Sequence, residues 1–265
     1  MMQIVAPLEF SGIEMYAMNK TMRKHDSKHS GKHTTLNEGL WLTGRHAVQA
    51  ALQAGRRDVY EVFLAKGEPT LEPYLHHTRV KMVSKGDLDA QFPHAVHQGI
   101  AARVGALPVA TLQDVWDSKL LIALDQVSDP HNLGAILRSA DAFGCGGVLV
   151  PTARSAPLND VVAKAASGAL ETVPVVEVNL AQALDKLKDK GFWSVGLTGY
   201  TDKTLAEVGK FDKTILVLGS EGEGLRDLVA KKCDFLAKLP MVGSVESLNV
   251  SVAAGISLYE INRSI

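Results

Sequence analysis

Cysteine is almost absent from this chain of 265 residues, which contains only Cys145 and Cys233, far apart in the sequence. Two distant thiols exclude a disulfide framework and a cysteine-based zinc site, so both are interpreted as small buried hydrophobic groups. The chain also lacks any apolar run near the roughly 20 residues that a membrane-spanning helix needs. Its N-terminus has neither the basic start nor the continuous apolar stretch of a signal peptide. These absences predict a soluble, cytoplasmic protein without a membrane partner.

A surplus of positive charge is missing as well. The chain has 28 Lys and Arg residues against 29 Asp and Glu residues, which gives a formal net charge of −1. Proteins that bind nucleic acid mainly through its phosphates are usually far more basic. The composition therefore gives no sign of a DNA partner, and any contact with RNA must come from a local patch.

Residues 1–36 are polar and basic in their second half, "MRKHDSKHSGKHTT". Three histidines recur there every fourth residue, a spacing that would stack them on a helix and could hold a metal. Serine and glycine between them disfavour a helix, so a solvated, disordered tail without a metal is the preferred interpretation. The histidines are His25, His29 and His33.

Residues 37–105 have the pattern of a small α/β domain. In "RHAVQAALQAG" apolar residues recur at helical spacing, and the glycine follows as a stop signal. "VYEVFLA" predicts a strand, and "HAVHQGIAARV" predicts a turn that leads into another strand. Residues 106–118 contain a proline and a short amphipathic piece, and they are interpreted as a linker.

Residues 119–265 alternate strand and helix signals in a regular way. Near-continuous apolar strands that alternate with helices predict a mostly parallel sheet covered on both faces. In such sheets ligands bind beyond the carboxyl ends of the strands. The predicted strands are 120–127, 147–150, 173–178, 192–198, 214–219 and 235–239. The predicted helices are 132–143, 158–170, 181–190, 225–232 and 249–263.

Polar side chains stand at three of the resulting strand ends. After the first strand, Asn132 occupies the expected N-cap of a helix, and Arg138 lies about 9 Å farther along it. After "TILVL" comes the glycine-rich turn "GSEGEGL", which contains two glutamates. Before the last helix, "SVESLN" is longer than capping requires, so Ser247 and Asn249 could face a ligand. The plain alternative is that Asn132 only caps the helix and Arg138 is only a solvated side chain.

The glycine-rich turn does not suit a phosphate ligand. Backbone N–H groups in such a turn often bind phosphate, but Glu221 and Glu223 would repel it, and no Gly-Lys-Ser/Thr follows. The order Gly-x-Gly-x-x-Gly is also missing, which disfavours a dinucleotide. S-adenosylmethionine has a sulfonium cation, an ammonium group and no phosphate. A turn of backbone donors with nearby carboxylates therefore suits S-adenosylmethionine better than a nucleotide.

Three segments resemble, in order, the signature motifs of the SpoU (TrmH) family, the 2′-O-ribose RNA methyltransferases of the SPOUT class. They are "DPHNLGAILRSADAFG", "LVLGSEGEGL" and "LPMVGSVESLNVSVAAG", and the resemblance covers residues 119–263. "LTGRHAVQAAL" and "AVHQGIAARV" further resemble a small substrate-binding domain of such enzymes that is similar to ribosomal protein L30e.

The resemblance implies an α/β methyltransferase domain with a mostly parallel sheet and a deep trefoil knot at residues 119–265. It implies that an L30e-like RNA-binding domain at residues 37–105 precedes it. The expected reaction is S-adenosylmethionine-dependent methylation of a guanosine 2′-OH in 23S rRNA. Two alternatives stay open, namely the same chemistry on tRNA and an RNA-binding protein without catalysis. The first is disfavoured because tRNA-directed relatives generally lack the small domain, and the second because the motif side chains are intact.

The resemblance also assigns roles to side chains. It places Arg138 at the methyl-transfer step, Glu221, Ser247 and Asn249 on the ribose, and Asn132 as the residue that holds the arginine. Because arginine is effectively always protonated, we expect Arg138 to clamp phosphate and to stabilise the alkoxide. The residues expected to contact the cofactor, largely through backbone groups, are Thr198, Gly199, Gly219, Leu239, Met241, Ser247 and Leu248.

A homodimer is the last implication. Relatives of the SPOUT class pair through their knots, so the segment around Arg138 is expected to face the partner's cofactor loops. The last helix has a side of small residues that would permit close approach between helices, with packing inside the chain as the alternative. These small residues are Ser251, Ala254, Gly255 and Ser257.

Overall fold

The computed structural model describes residues 40–67 and 78–263. The basic tail at residues 1–36, with its three histidines, lies outside these residues. The described chain forms a smaller sheet of four strands and a larger sheet of six. No helix in this part of the chain is long and apolar enough to cross a membrane.

The smaller sheet has the strand order β1-β4-β2-β3. β4 is antiparallel to β1 and β2, whereas β3 is parallel to β2. The two predicted strands are confirmed as β2 and β4, and the predicted helix is confirmed as α1, which ends at Gly55 in the left-handed region. The elements are β1 Leu40–Thr43, α1 Arg45–Ala54, β2 Val59–Ala65, β3 Arg79–Val83, α2 Lys85–Gln91 and β4 Ile100–Val104.

The sequence pattern does not predict three elements of this sheet. β1 has only four residues, and the side chains of β3 are exposed from Arg79 to Met82, so neither strand carries an alternation of buried positions. α2 has seven residues and a capping box, in which Ser84 and Asp87 each accept from the other's backbone N–H. That box is a sequence signal that could have indicated α2.

The larger sheet is parallel throughout, with the strand order β10-β8-β9-β5-β6-β7. All six predicted strands and all five predicted helices are confirmed, with shifts of a few residues at their ends. The strands are β5 Leu120–Asp125, β6 Gly147–Pro151, β7 Val175–Val178, β8 Trp193–Leu197, β9 Thr214–Gly219 and β10 Phe235–Ala237. The helices are α3 Pro130–Ala142, α4 Asp160–Ala166, α5 Leu180–Lys188, α6 Asp227–Lys232 and α7 Val250–Arg263.

Helices cover both faces of the larger sheet, as the apolar strands predict. On β5, Leu120 and Ile122 join the cluster formed with α3, α4 and α7, whereas Leu121 and Ala123 join the one formed with α5 and α6. α4 ends four residues before the predicted limit, because Ser167 adopts a left-handed conformation with φ 53°. The chain then continues as a 3₁₀ helix, Ala169–Glu171.

The strand order creates a switch point beside β5. From β5 the chain runs to β6 and β7 on one side, then crosses to β8, and β9 returns between β8 and β5. A crevice beyond the carboxyl ends of β5 and β9 is the expected ligand site of such a sheet. The trefoil knot that the resemblance implies stays a prediction.

The smaller sheet packs against α4 through β1, and it shares one hydrophobic cluster with the larger sheet that includes Leu42, Val62 and Leu120. A buried ion pair accompanies this cluster. Nε of Arg57 donates to Oε2 of Glu171 at 3.0 Å, and a terminal nitrogen of the same guanidinium contacts Oε1 of Glu171. The pair joins the loop before β2 to the 3₁₀ helix Ala169–Glu171. Because both side chains are almost inaccessible to water, solvent screens this pair little.

The two cysteines behave as hydrophobic groups. Cys145 is buried and Cys233 is half-buried. Burial raises the pKa of the Cys145 thiol to about 12. Burial, together with the carboxylates of Asp234 and Asp125, raises the pKa of Cys233 to about 12. The interpretation as buried hydrophobic groups is confirmed for Cys145 and in part for Cys233, and both thiols stay protonated at neutral pH.

Candidate active site

Four neighbouring strands deliver the predicted site residues to one edge of the larger sheet. β10, β8, β9 and β5 are consecutive in the sheet and parallel, so their carboxyl ends lie together. The loops that leave β8 and β9, the loop from β10 to α7, and the turn from β5 to α3 therefore meet at this edge. This arrangement follows from strand order, which the sequence pattern alone does not reveal.

The glycine-rich turn after β9 is closed on itself. N–H of Ser220 donates to the carbonyl of Gly224 at 3.1 Å, and N–H of Gly224 donates back at 3.0 Å. A Cβ at Gly219 would lie 2.0 Å from the carbonyl carbon of Gly224, so this position accepts only glycine. Gly222 and Gly224 have φ values of 92° and 71°, which also favour glycine. The turn is thus a rigid element that fixes Glu221 between Ser220 and Gly222.

A buried carboxylate anchors the far end of this turn. Asp125, the last residue of β5, is fully buried, and its Oδ2 accepts from N–H of Arg226 at 2.9 Å. Its Oδ1 accepts from Nε of Arg226 at 2.7 Å. The sequence interpretation missed this pair. A charged residue at the end of the apolar run "LLIALD" was the available signal, since a buried carboxylate requires a partner.

Three of the predicted catalytic residues form one hydrogen-bonded cluster, here called the Asn-Glu-Asn cluster. Nδ2 of Asn249 donates to Oδ1 of Asn132 at 2.9 Å and to Oε1 of Glu221 at 2.7 Å. Nδ2 of Asn132 also donates to Oε1 of Glu221, at 3.1 Å. N–H of Val250 approaches the same oxygen at 3.3 Å. The other oxygen of Glu221, Oε2, accepts no hydrogen bond from the described residues.

Asn132 is not the N-cap of its helix, which corrects the sequence prediction. α3 begins with Pro130, and Asp129 is the N-cap, whose side chain accepts from N–H of His131 at 2.8 Å. Asn132 therefore lies inside the first turn, and its side chain is 8% exposed. A buried amide inside a helix needs partners elsewhere, and it finds them in Glu221 and Asn249.

The expected contact between Asn132 and Arg138 is absent from the described residues, and helix geometry gives the reason. Six residues on a helix turn the side-chain direction by about 600°, which leaves the two side chains about 120° apart. Arg138 is exposed on α3 and makes no hydrogen bond within the described chain. Its guanidinium is thus available to a ligand or to another chain.

Asn249 both caps its helix and belongs to the candidate site. Its Oδ1 accepts from N–H of Ser251 at 2.9 Å and so caps α7, while its Nδ2 belongs to the Asn-Glu-Asn cluster. Ser247, two residues earlier, is exposed and has no hydrogen bond within the described chain. The structure therefore ties Asn249 into the cluster and leaves Ser247 beside it.

The predicted cofactor residues border the same edge. N–H of Thr198 donates to the carbonyl of Ala237 at 2.9 Å, and its hydroxyl accepts from N–H of Tyr200 at 3.2 Å. Leu239 and Leu248 are half-buried, and Met241 is 42% exposed. These loops present backbone groups and apolar side chains without a lysine among the predicted contacts. Such a lining is suited to an uncharged ring system rather than to a chain of phosphates.

The side of small residues on α7 packs within the chain. Ala254 and Ser257 are completely buried, and a Cβ at Gly255 would face Oγ of Ser139 on α3 at 3.7 Å. Three larger apolar residues of α7 are exposed instead, about one turn apart. They are Val252, Ile256 and Tyr259.

Two family models match the two parts of this chain. The sequence model of the SpoU rRNA Methylase family matches residues 119–259, and that of RNA 2′-O ribose methyltransferase substrate binding matches residues 41–110. A 23S rRNA (guanosine-2′-O-)-methyltransferase RlmB from Pseudomonas aeruginosa is 44% identical over 234 residues, covering 83% of this chain and 94% of the relative. The RlmB of Escherichia coli K12 is also 44% identical, covering 84% and 97%.

Solved structures give the same result for the fold. The SpoU methyltransferase AviRb of Streptomyces viridochromogenes has a TM-score of 0.72 at 25% identity, over 85% of this chain and 89% of AviRb. An AdoMet-bound rRNA methyltransferase of Sinorhizobium meliloti has a TM-score of 0.74 at 24% identity, over 85% and 87%. With motifs, fold and family model in agreement over most of its length, this chain belongs to the SpoU rRNA methylase family.

Proposed function

We propose that this protein transfers a methyl group from S-adenosylmethionine to the 2′-OH of a guanosine in 23S rRNA. The observation that carries the proposal is the Asn-Glu-Asn cluster, which assembles three motif residues from distant parts of the chain at the carboxyl edge of the sheet. The two RlmB relatives, which match nearly their whole length, carry 23S rRNA and guanosine in their names. The proposed substrate follows from them.

The residues at this edge fit S-adenosylmethionine. The turn 219–225 carries Glu221 and Glu223 and no cation, so it favours a positively charged ligand over a phosphate. Leu239, Met241 and Leu248 would pack on the adenine. The polar edge of the adenine would bind main-chain groups of the same loops and of Gly219. Thr198, Gly199 and Ser247 would make the remaining contacts. The cofactor supplies an activated methyl group, and the chain's task is to present the ribose oxygen to it.

Glu221 and Asn249 would orient the ribose. Oε1 of Glu221 is held by three donors, which leaves Oε2 in a fixed position to accept a hydrogen bond from the substrate. A fixed acceptor can align the 2′-OH with the methyl carbon before reaction, and such alignment is a large part of catalysis. Ser247, exposed beside the cluster, would donate its hydroxyl to the ribose or to the cofactor.

Arg138 would stabilise the charge that develops when the 2′-OH loses its proton. A hydroxyl is a poor nucleophile at neutral pH, so its alkoxide character needs electrostatic support. The guanidinium is exposed and without a partner in the described chain, and it can clamp a phosphate of the same nucleotide through two parallel hydrogen bonds. Asn132 would support this site by holding Glu221 rather than by holding Arg138.

The smaller sheet would position the RNA. We assign residues 37–105 to an L30e-like RNA-binding domain, 106–118 to a linker and 119–265 to the methyltransferase domain. The match of residues 41–110 to the substrate-binding family supports this division. The buried ion pair of Arg57 and Glu171, together with the packing of β1 on α4, would hold the RNA-binding domain in a fixed position on the methyltransferase domain.

A homodimer would complete the site. The apolar stripe of Val252, Ile256 and Tyr259 on α7 is exposed in the single chain and lies on the helix that packs against α3. Burial of this stripe by a second copy would bring the partner's loops toward the exposed Arg138.

Mixing Arg138→Ala with Leu248→Asp subunits tests this dimer, because a heterodimer keeps one intact composite site and should recover part of the wild-type rate. Proven subunit exchange without recovery would place both groups in one subunit's site.

The function is tested by methyl transfer from radiolabelled S-adenosylmethionine. Purified protein is incubated separately with a 23S rRNA transcript, a 16S rRNA transcript and unmodified tRNA. We expect label at one guanosine ribose of the 23S transcript, and transfer slower by about 10²–10³-fold with Arg138→Ala. Label on tRNA alone would establish the alternative substrate, and binding of 23S rRNA without any transfer would establish a non-catalytic protein.

A further inference from the structure

A cavity of about 550 Å³ lies between the smaller sheet and helices α3 and α4. Its volume is within the range of about 300–1,000 Å³ that is typical of ligand sites. None of the predicted site residues lines it, so it is separate from the Asn-Glu-Asn cluster. Its lining combines aromatic and polar side chains, which include Trp41, Phe92, His94, His131, Asp160 and Lys164.

The wall on the side of the smaller sheet is aromatic. The rings of Trp41 on β1 and Phe92 after α2 lie 5.2 Å apart at 60°, and Trp41 also contacts Phe63 at 5.0 Å. Trp41 and Phe92 are both half-buried, so packing holds them in place while part of each ring stays accessible. Aromatic planes of this kind are the surfaces on which unstacked RNA bases bind.

The opposite wall is polar. It contains His131 in the first turn of α3, and Asp160 and Lys164 on successive turns of α4. α3 and α4 are in close contact at Gly134, where a Cβ would lie 2.4 Å from Cβ of Ala165, so this wall has little freedom to move. Within the described residues the side chains of these three residues make no hydrogen bond or ion pair. Their donors and acceptors are therefore open to a ligand.

The charges of this wall match one base in particular. Guanine presents the acceptor O6 beside the donors N1–H and the 2-amino group. Lysine is a typical donor to guanine O6, and a carboxylate accepts from ring N–H and amino groups. Adenine presents a donor where guanine has O6 and an acceptor where guanine has N1–H. Lys164 and Asp160 together are thus complementary to guanine and not to adenine.

The position of the cavity relates it to the reaction. His131, which lines it, immediately precedes Asn132 of the Asn-Glu-Asn cluster. Both residues lie in the first turn of α3, so the cavity and the cluster share this end of the helix. Because one bond joins base and ribose, a nucleotide bound here would place its base in the cavity and its ribose toward the cluster. We infer that the cavity binds the guanine base of the nucleotide whose ribose is methylated. This inference rests on the proposed function and adds the residues that select the base.

Substitutions in the two walls test the inference by RNA binding and by base preference. Trp41→Ala should weaken binding of the 23S transcript about tenfold, while Trp41→Phe, which keeps a ring, should retain most of it. Asp160→Asn and Lys164→Ala should lower methyl transfer to guanosine and reduce the preference for guanosine over adenosine at the target position. The matched controls are Asp212→Asn and Lys186→Ala, two exposed residues away from the cavity, which should behave as wild type.

Crosslinking gives a readout that does not depend on catalysis. A 23S fragment with 6-thioguanosine at the target position is irradiated with the full-length protein, and the modified peptide is identified by mass spectrometry. We expect the crosslink on the peptide of Trp41 or of Phe92. A crosslink only on other peptides, or wild-type base preference in Asp160→Asn and Lys164→Ala, would overturn the inference. If the wild-type protein methylates no 23S guanosine at all, the proposed function fails instead, and the crosslink still reports whether the cavity binds a base.

Discussion

Two glutamates show how differently two regions are built: the junction, where Arg57 of the smaller unit pairs with Glu171, and the edge of the larger sheet at Glu221. Glu171, at the junction, is 1% exposed, and Arg57 contacts both of its carboxylate oxygens. Glu221, at the edge, is exposed, and its three donors all approach a single oxygen. The first carboxylate is saturated by its own chain, and the second keeps one oxygen for something else.

This difference separates architecture from chemistry. A buried charge has to be paired within the protein, since an unpaired one is very costly, and such a pair then contributes to stability and position. A carboxylate that accepts hydrogen bonds on only one oxygen is held in place and keeps the other oxygen available. A group that contacts substrate needs both properties. We therefore expect substitutions at the junction to change stability, and substitutions at the edge to change activity.

The largest effect is expected at the junction. Glu171→Ala leaves Arg57 buried without its partner, which should lower the free energy of unfolding by about 3–5 kcal/mol. Denaturation in urea measures this, with Glu177→Ala, an exposed glutamate on β7, as the control that should change little. Replacing both partners with Arg57→Met and Glu171→Leu should restore much of the loss. A stability of Glu171→Ala equal to that of the control would contradict the role of the pair.

The next effect is expected at Arg138. Arg138→Ala should lower the rate constant of methyl transfer by about 10²–10³-fold, as the loss of one preorganised donor to an oxyanion does. Affinity for S-adenosylmethionine and the melting temperature should stay near wild type, because the guanidinium is exposed and unpaired in the described chain. Single-turnover kinetics and calorimetric titration measure the two quantities. Near-normal turnover of Arg138→Ala would remove Arg138 from the reaction. Arg138→Lys should also fail if a planar fork is required, and its near-normal turnover would show that a positive charge is sufficient.

A smaller effect is expected where a buried carboxylate supports the edge. Asp125→Asn keeps the size of the side chain but removes the charge that holds Arg226, so the turn 219–226 should loosen. We expect the affinity for S-adenosylmethionine to fall about tenfold, since hydrogen bonds between charged groups contribute about 1.5–3 kcal/mol. Methyl transfer at saturating cofactor should remain close to wild type. An unchanged affinity would show that the turn keeps its shape without this anchor.

The smallest effect is expected at Ser247. Because its hydroxyl is exposed and has no partner in the described chain, Ser247→Ala costs nothing in the free protein and removes one contact to the ligand. A single neutral hydrogen bond contributes about 0.5–1.5 kcal/mol, which corresponds to a loss of a few-fold in kcat/KM. Ser244→Ala in the same loop is the control. Equal kinetics of the two variants would place Ser247 outside the site.

The edge could largely be predicted from the sequence, and the junction could not. Asn132, Glu221 and Asn249 stand in long motifs at predicted strand ends, so the motifs name them together, and the strand order that brings them into contact is seen in the structure. The error at Asn132 was local, because Asp129 and Pro130 together start the helix three residues earlier. Arg57 and Glu171 are 114 residues apart and stand in no motif, so their pairing depends on how the smaller unit packs on the 3₁₀ helix Ala169–Glu171.

Three features of the structure were not predicted, and each has a physical cause. β3 is an edge strand without a buried face at its first four residues, and it therefore lacks the periodicity from which strands are recognised. The predicted end of α4 was wrong because Ser167 takes a left-handed conformation that its residue type does not announce. The pairing of Asp125 was not predicted because its partner, Arg226, lies 101 residues away in the chain.

The central claim is that the exposed edge of the larger sheet methylates one ribose of 23S rRNA. Its most direct test is a map of 2′-O-methylated nucleotides in the ribosomal RNA of cells with and without the gene, with wild type or Arg138→Ala restored on a plasmid. We expect that one guanosine of 23S rRNA loses its methyl group without the gene, regains it with wild type and stays largely unmethylated with Arg138→Ala. An unchanged 23S map, or restoration by Arg138→Ala, would contradict it.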